Sequence, residues 1–187
     1  QLIRALKTTP YARDEYYAAC EVNPEDCDLE KARKFAVRCW QGFGASNLYR
    51  NGFRSSQRGT SPHTTKEWRM LPDRLFDASE RLKNAQIENL PAVELIKRYN
   101  TRDVFIYADP PYLHGTRKNY LYRYEMEDKD HIELLKVLVE HPGKVLLSGY
   151  DNELYNDMLP GWRKTQKKTQ AEAGIPRTET LWMNYEI

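Results

Sequence analysis

The run Val104-Phe105-Ile106-Tyr107-Ala108 ends against Asp109-Pro110-Pro111, and that arrest constrains the fold more than any other feature of the 187 residues. Five β-branched, aromatic or small apolar residues read as a strand, and proline cannot extend a hydrogen-bonded ladder, so the strand must stop there. Downstream, Asp128 starts a helix carrying Ile132, Leu135, Leu138 and Val139 on one side. Lys144 to Ser148 is a second buried strand, and Asn152 to Leu159 a short helix. Two further strands, Trp162 to Thr169 and Thr178 to Tyr185, flank a turn around Ala173-Gly174. Upstream, Ala85 to Asn89 reads as a short strand, and Pro91 opens a helix through Tyr99. Alternating strands and helices predict a parallel α/β sheet, with the last two strands an antiparallel hairpin at its edge. In open sheets of this kind ligands bind beyond the carboxyl ends of the strands, so Asp109 stands where chemistry is expected.

Residues 1–84 read differently, as helices joined by one long polar loop. Pro10 suits a first helical turn before Tyr11 to Cys20, and Asp28 is the expected N-cap of Leu29 to Trp40. Gly42 to Pro62 holds four glycines among Ser, Asn and Thr and reads as a loop of functional length. Thr64 and Glu67 form a capping box, after which Trp68, Leu71, Leu75, Ala78 and Leu82 share one helix face. Pro72 within that helix predicts a kink or a restart. The division expected is therefore 1–84, mostly helical, and 85–187, the sheet-bearing part.

Net charge is only +2, yet it is unevenly spread. Lys31 to Arg69 contains nine basic residues and one acid, Glu67, a concentration that suits a polyanion as well as a solvated face. Within it Arg50, Arg54 and Arg58 recur every fourth residue, and Lys66 follows. These four are the candidate contacts to such a polyanion, with Tyr49 and Phe53 available to wedge or stack. No apolar run approaches membrane-spanning length, so no membrane partner and a cytoplasmic location are expected. Cys20, Cys27 and Cys39 lack the spacing of metal ligands.

Asp109-Pro110-Pro111-Tyr112 is the element with chemical content. Two prolines with fixed φ hold the Asp109 carboxylate and the Pro110 carbonyl in a set arrangement, and Tyr112 offers a flat ring. Two acceptors and one stacking surface match a planar amide or an aromatic amine. A stiff strand-ending turn without a ligand accounts for the same four residues, so their context decides. Gly42-Phe43-Gly44-Ala45-Ser46 follows a helix instead of a strand, with no acid before Glu67, and is not a cofactor loop. His131 falls in a helical first turn, structural or solvated, whereas His114 is placed to line a loop over the site. Tyr120, Tyr122 and Tyr124 alternate, which fits core packing and DNA contact equally.

The motif resembles that of the amino-methyltransferases of DNA, Asp/Asn/Ser-Pro-Pro-Tyr/Phe, in the form typical of the adenine-specific branch. The likeness to the DNA adenine methyltransferase family of bacteria and phages spans nearly the whole chain. It rests on Thr9-Pro10-Tyr11, Gln41-Gly42-Phe43-Gly44, Leu71-Pro72-Asp73-Arg74-Leu75, Gln86-Ile87-Glu88-Asn89, Tyr107 to Tyr112, Leu147-Ser148-Gly149-Tyr150-Asp151 and Thr178 to Tyr185. The resemblance implies a partial Rossmann-like methyltransferase sheet with a mostly helical DNA-recognition lobe on its N-terminal side. It also implies S-adenosyl-L-methionine as methyl donor and double-stranded DNA as substrate, with the flipped adenine at Asp109, Pro110, Pro111 and Tyr112. Asp109 and Asn89 would face the cofactor, and restriction-modification or regulation is the setting such enzymes serve.

One part of the family pattern is missing. The Phe-x-Gly-x-Gly loop, the acid that follows it and the aromatic-basic segment before both are not among these residues, and the first residue is Gln1. The expectation is a C-terminal portion, carrying recognition and base pocket, inactive alone. Its two first strands would lack the partner between them, and self-association through the exposed sheet edge would cover the gap. The alternative is a non-catalytic DNA-binding remnant. Methylation of a protein amide is disfavoured, because Asp109 stands where Asn is expected.

Overall fold

A computed structural model describes residues 1–21, 23–44, 51–55, 64–116, 124–170 and 176–186. The chain divides into two compact units, Gln1–Ile87 and Glu88–Ile187.

The first unit is helical: α1 (Leu2–Thr8), α2 (Arg13–Cys20), α3 (Asp28–Gln41) and α4 (Thr64–Leu82). The short helix α1 has no counterpart in the sequence reading. Cys27, not Asp28, occupies the N-cap of α3, and Asp28 sits in the first turn, where a carboxylate still favours the helix dipole. The helix α4 runs through Pro72 without a restart. Its apolar face is buried only over its first half: Trp68 and Leu71 are in the core, Leu75 at its margin, and Ala78 and Leu82 are exposed. The helix packed most closely along it, α1, is seven residues long, about 10 Å, and even with α3 beside it does not cover nineteen residues. Leu6, Tyr16, Ala19, Ala36 and Val37 complete this core.

Buried polar contacts then fasten the loop that leaves α3. The fully buried Gln41 donates from Nε2 to the Pro10 carbonyl (2.9 Å) and accepts the Ala12 amide. Trp68 Nε1 donates to the Thr9 carbonyl (2.9 Å). Tyr11 donates to the Arg54 carbonyl (2.6 Å), Tyr16 donates to the Asn51 carbonyl, and Gly42 bridges Phe53. Residues 51–55 are thus clamped onto α2 and α3.

The second unit holds α5 (Ala92–Arg98), β1 (Ile106–Ala108), a 3-10 turn (His114–Thr116), α6 (Asp128–Glu140), β2 (Val145–Tyr150), α7 (Glu153–Met158), β3 (Arg163–Gln170) and β4 (Pro176–Met183). The strands form a four-stranded mixed sheet in the order β1-β2-β4-β3. The pair β1–β2 is parallel, whereas β4 runs antiparallel to both β2 and β3. The turn expected at Ala173-Gly174 lies outside the described residues.

Two strand expectations need correction. Residues 85–89 form no strand, and Ile87 is 74% exposed. Gln-Ile-Glu-Asn offers one apolar side chain, and no neighbouring strand among the described residues supplies a ladder. The strand expected from Val104 begins at Ile106 instead, because the Val104 carbonyl accepts a bond from buried His141 (Nε2, 3.0 Å), in place of a ladder partner. Gly143 makes this approach feasible: a Cβ there would lie 2.3 Å from the Val104 carbonyl oxygen. At the far end β4 stops at Met183, since the Asn184 side chain takes over, accepting the Val145 amide (2.8 Å) and donating to the Gly143 carbonyl.

One sheet face buries Val145, Leu147 and Trp182 against Leu134, Leu135 and Leu138 of α6 and Tyr155 of α7. His131, fully buried, joins Tyr155 (2.8 Å), so its role is structural and not solvated. Because side chains alternate along a strand, Ser148 and Tyr150 of β2 project to the other face, as do Leu181 and Glu179 opposite them on β4.

Candidate active site

Asp109 follows β1 directly, and the parallel register sets Ala108 beside Leu147, so Asp109 meets Ser148 of β2. The Ser148 hydroxyl, buried at 4% exposure, donates to Asp109 Oδ1 at 2.7 Å, with the Ala108 carbonyl a second acceptor at 3.1 Å. A distance of 2.7 Å is that of a charge-assisted bond. It fixes one carboxylate oxygen of a residue that is otherwise exposed. Pro110 is buried and Pro111 half-buried, so the turn after Asp109 is held by packing as well as by its rings.

Tyr112 is fixed in two ways. Its hydroxyl donates to Glu179 Oε2 (3.0 Å), and its ring meets that of Tyr150 edge-on, 4.7 Å between centroids at 77°. Burial, reinforced by the bond to Glu179 and by the charges of Glu179 and Asp109, pushes the phenol well above its ordinary value. It therefore stays a neutral donor. Glu179 and Tyr150 face each other across β2 and β4, so one row of the sheet carries both supports of the ring. Gly149 between Ser148 and Tyr150 leaves room for the core: a Cβ there would lie 3.3 Å from Trp182.

Beside this cluster, Asp151 is held as part of the frame. It accepts from Lys164, Asn156 (2.9 Å) and Gln166 (3.0 Å), and the Lys164 bond above all keeps its carboxyl below the usual range. Among the described residues no three His, Cys, Asp or Glu side chains converge to hold a metal, and Cys20, Cys27 and Cys39 are not in disulfides.

The sequence-predicted site residues separate. Asp109, Pro110, Pro111 and Tyr112 come together with Ser148, Tyr150 and Glu179, three residues that sequence reasoning did not assign a role. The signal was present, since Ser148-Gly149-Tyr150 ends the strand next to β1 and both strands end at the same edge. Asn89 is exposed in a segment without a ladder, so no sheet bond fixes it relative to Asp109. Arg54 is half-buried, with its backbone bound on both sides, by Gln41 and by Tyr11, and Lys66 is exposed on the first turn of α4. Arg50, Arg58, Tyr49, Tyr120 and Tyr122 lie outside the described residues. Phe53 is no free wedge: it packs on Tyr11 (5.2 Å) and Tyr16 (6.0 Å), under the Arg13 guanidinium.

The basic stretch is also less positive than its own sequence suggests. Arg33 is bound by Glu15 and Glu30, and Lys34 by Asp26 (2.7 Å), acids from before the stretch. Lys66 and Arg69 remain exposed.

Residues 1–172 match the model of the D12 class N6 adenine-specific DNA methyltransferases. The chain belongs to this family. Its matched span includes the strand-end motif, β1, β2 and the four helices of the first unit. No curated protein matches the chain. A mixed α/β sheet bearing Asp-Pro-Pro-Tyr at the end of a parallel strand agrees with that membership, and no described helix is long and apolar enough to cross a membrane.

Proposed function

We propose that Asp109, Pro110, Pro111 and Tyr112 form the pocket in which an adenine flipped out of double-stranded DNA receives a methyl group at N6. The observation that carries this reading is the Ser148–Asp109 bond, which aims a carboxylate from the carboxyl end of a parallel strand beside a ring fixed by Glu179 and Tyr150. An adenine amine is a poor nucleophile because its lone pair is delocalised into the purine. Its two N–H bonds need acceptors that strengthen as positive charge develops, and Asp109 with the Pro110 carbonyl are such a pair. Pre-placed partners of this kind contribute about 3–4 kcal/mol to the transition state. A base stacked on the Tyr112 ring adds about 1–3 kcal/mol of binding. Flipping is required because the amine is otherwise engaged in base pairing.

S-adenosyl-L-methionine would supply the electrophilic methyl. The residues present fit only one end of it. Asp109 faces the methyl side, and Asn89 is the candidate for the cofactor's adenine. A turn for the methionine carboxylate and an acid for the ribose hydroxyls are not evident among the described residues, so the Rossmann-like sheet is read here as partial. The fragment reading follows: these residues carry base pocket and recognition and depend on others for the donor. In the same reading the first unit is the recognition region, with Arg50, Arg54, Arg58 and Lys66 the residues that contact DNA. The outer edge of β1 takes part in self-association.

Expression of the reading frame that encodes these residues, in a host without adenine methylation, tests the reading by modified-base sequencing. N6-methyladenine at one defined sequence, lost with Asp109→Ala, supports it. A frame that binds DNA but leaves it unmodified favours the alternative, a non-catalytic DNA-binding remnant.

A further inference from the structure

We propose that Glu179 is a positioning residue for the base, acting through the Tyr112 hydroxyl. This rests on the reading of Tyr112 as the stacking surface. The hydroxyl of a tyrosine lies on the axis about which its ring rotates. A bond to it fixes where that axis points, whereas a neighbour against the ring fixes the rotation. Tyr112 has both: Glu179 Oε2 accepts from the hydroxyl at 3.0 Å, and Tyr150 stands edge-on to the ring at 4.7 Å. The two supports are cross-strand partners, Tyr150 on β2 and Glu179 on β4. The backbone ladder therefore holds them at the spacing of an antiparallel pair, and the ring plane is defined before any base arrives. Glu179 comes from β4, 67 positions beyond Tyr112 and antiparallel to β2, so the hairpin is tied to the motif through this bond. Its neighbour on β3, Lys167, lies directly across from it, yet the Glu179 carboxylate is turned to the phenol.

A base that stacks on a ring of fixed plane arrives with its amine in a fixed place relative to Asp109, which the Ser148 hydroxyl holds. Freeing the ring spreads that amine over many positions. Loss of a single ordering contact of this kind reduces transfer while leaving the cofactor untouched.

Steady-state methylation of duplex DNA by the enzyme, with kcat and KM for DNA measured separately, tests the proposal on Glu179→Ala, Glu179→Gln, Tyr112→Phe, Tyr112→Ala and the double variant Glu179→Ala/Tyr112→Phe. Glu179→Ala is expected to lower kcat/KM for DNA about tenfold, with KM for the methyl donor unchanged. Glu179→Gln, whose amide oxygen still accepts from the phenol, restores most of that loss. Tyr112→Phe loses at least as much as Glu179→Ala, because its hydroxyl also meets Ser148, and the double variant is no worse than Tyr112→Phe, as required if Glu179 acts through that hydroxyl. Tyr112→Phe removes a single oxygen and keeps the test decisive if Glu179→Ala fails to fold. An additive double variant, or Glu179→Ala and Tyr112→Phe within twofold of the parent while Tyr112→Ala is inactive, overturns the proposal and leaves the base pocket standing. Full activity of Tyr112→Ala overturns the stacking reading itself.

Discussion

Replacing Ser148 by alanine removes one hydroxyl and nothing else from the face of β2 that carries the site. The hydroxyl donates to Asp109 at 2.7 Å and has the Ala108 carbonyl at 3.1 Å and the Tyr112 hydroxyl as further partners. One hydrogen serves one acceptor at a time, and the shorter, charge-assisted contact dominates. A bond to a charged group contributes about 1.5–3 kcal/mol. Asp109 is exposed, so water replaces part of what is lost, and the lower end applies. About 1.5 kcal/mol corresponds to roughly tenfold in rate. The carboxylate matters mainly as charge develops on the amine, so the loss should appear in kcat, with KM for DNA within about twofold. Stability should fall by about 1 kcal/mol or less, the usual net worth of one hydrogen bond. Single-turnover transfer of labelled methyl groups, beside urea denaturation, separates the two effects. A transfer rate within twofold of the parent, in a folded variant, would refute the idea that Ser148 aims Asp109.

Three further outcomes follow from the same geometry. Arg54→Ala and Lys66→Ala, measured by DNA binding across salt concentrations, should each reduce the slope of log affinity against log salt by about one unit, and unchanged slopes would leave these cations solvated. Asp151 has its carboxyl held below the ordinary 3.8, first by Lys164 and then by Asn156, so its contribution is present above that value and lost as pH falls through the lower folded one. Acid unfolding should therefore be shallower in Asp151→Asn, by less than about 1 kcal/mol given the exposure of the pair, and identical acid titrations of variant and parent would contradict this. Isothermal titration of residues 1–187 with S-adenosyl-L-methionine should show weak binding or none, with no methylation of DNA, and micromolar binding would contradict the proposal that the donor depends on other residues.

The elements of the second unit were legible because their signals are local. A β-branched run against two prolines, an apolar helix face on α6 and a buried run at β2 each declare themselves within a few residues. What was not legible depends on partners. Residues 85–89 read as a short strand from their own pattern, but a strand exists only where a neighbour supplies a ladder. The start of β1 moved because one histidine, 37 positions away, captured a carbonyl. The stripe of α4 was read to Leu82, although α1 and α3 cover only its first half. Charge counted along Lys31 to Arg69 overlooked Glu15 and Asp26, which lie elsewhere in sequence and neutralise part of it. In the site, Asp-Pro-Pro-Tyr was evident from its own chemistry. Ser148, Tyr150 and Glu179 were not, because their contribution lies in register across the sheet.

The central claim is that Asp109 accepts from the adenine amine as the methyl group arrives. Single-turnover methyl transfer to duplex DNA by Asp109→Ala in the complete enzyme, with DNA affinity measured on the same preparation, tests it most directly. The account predicts a fall in rate of about two orders of magnitude or more, with affinity within a few-fold of the parent. A variant that transfers methyl groups at the parental rate would remove Asp109 from the mechanism.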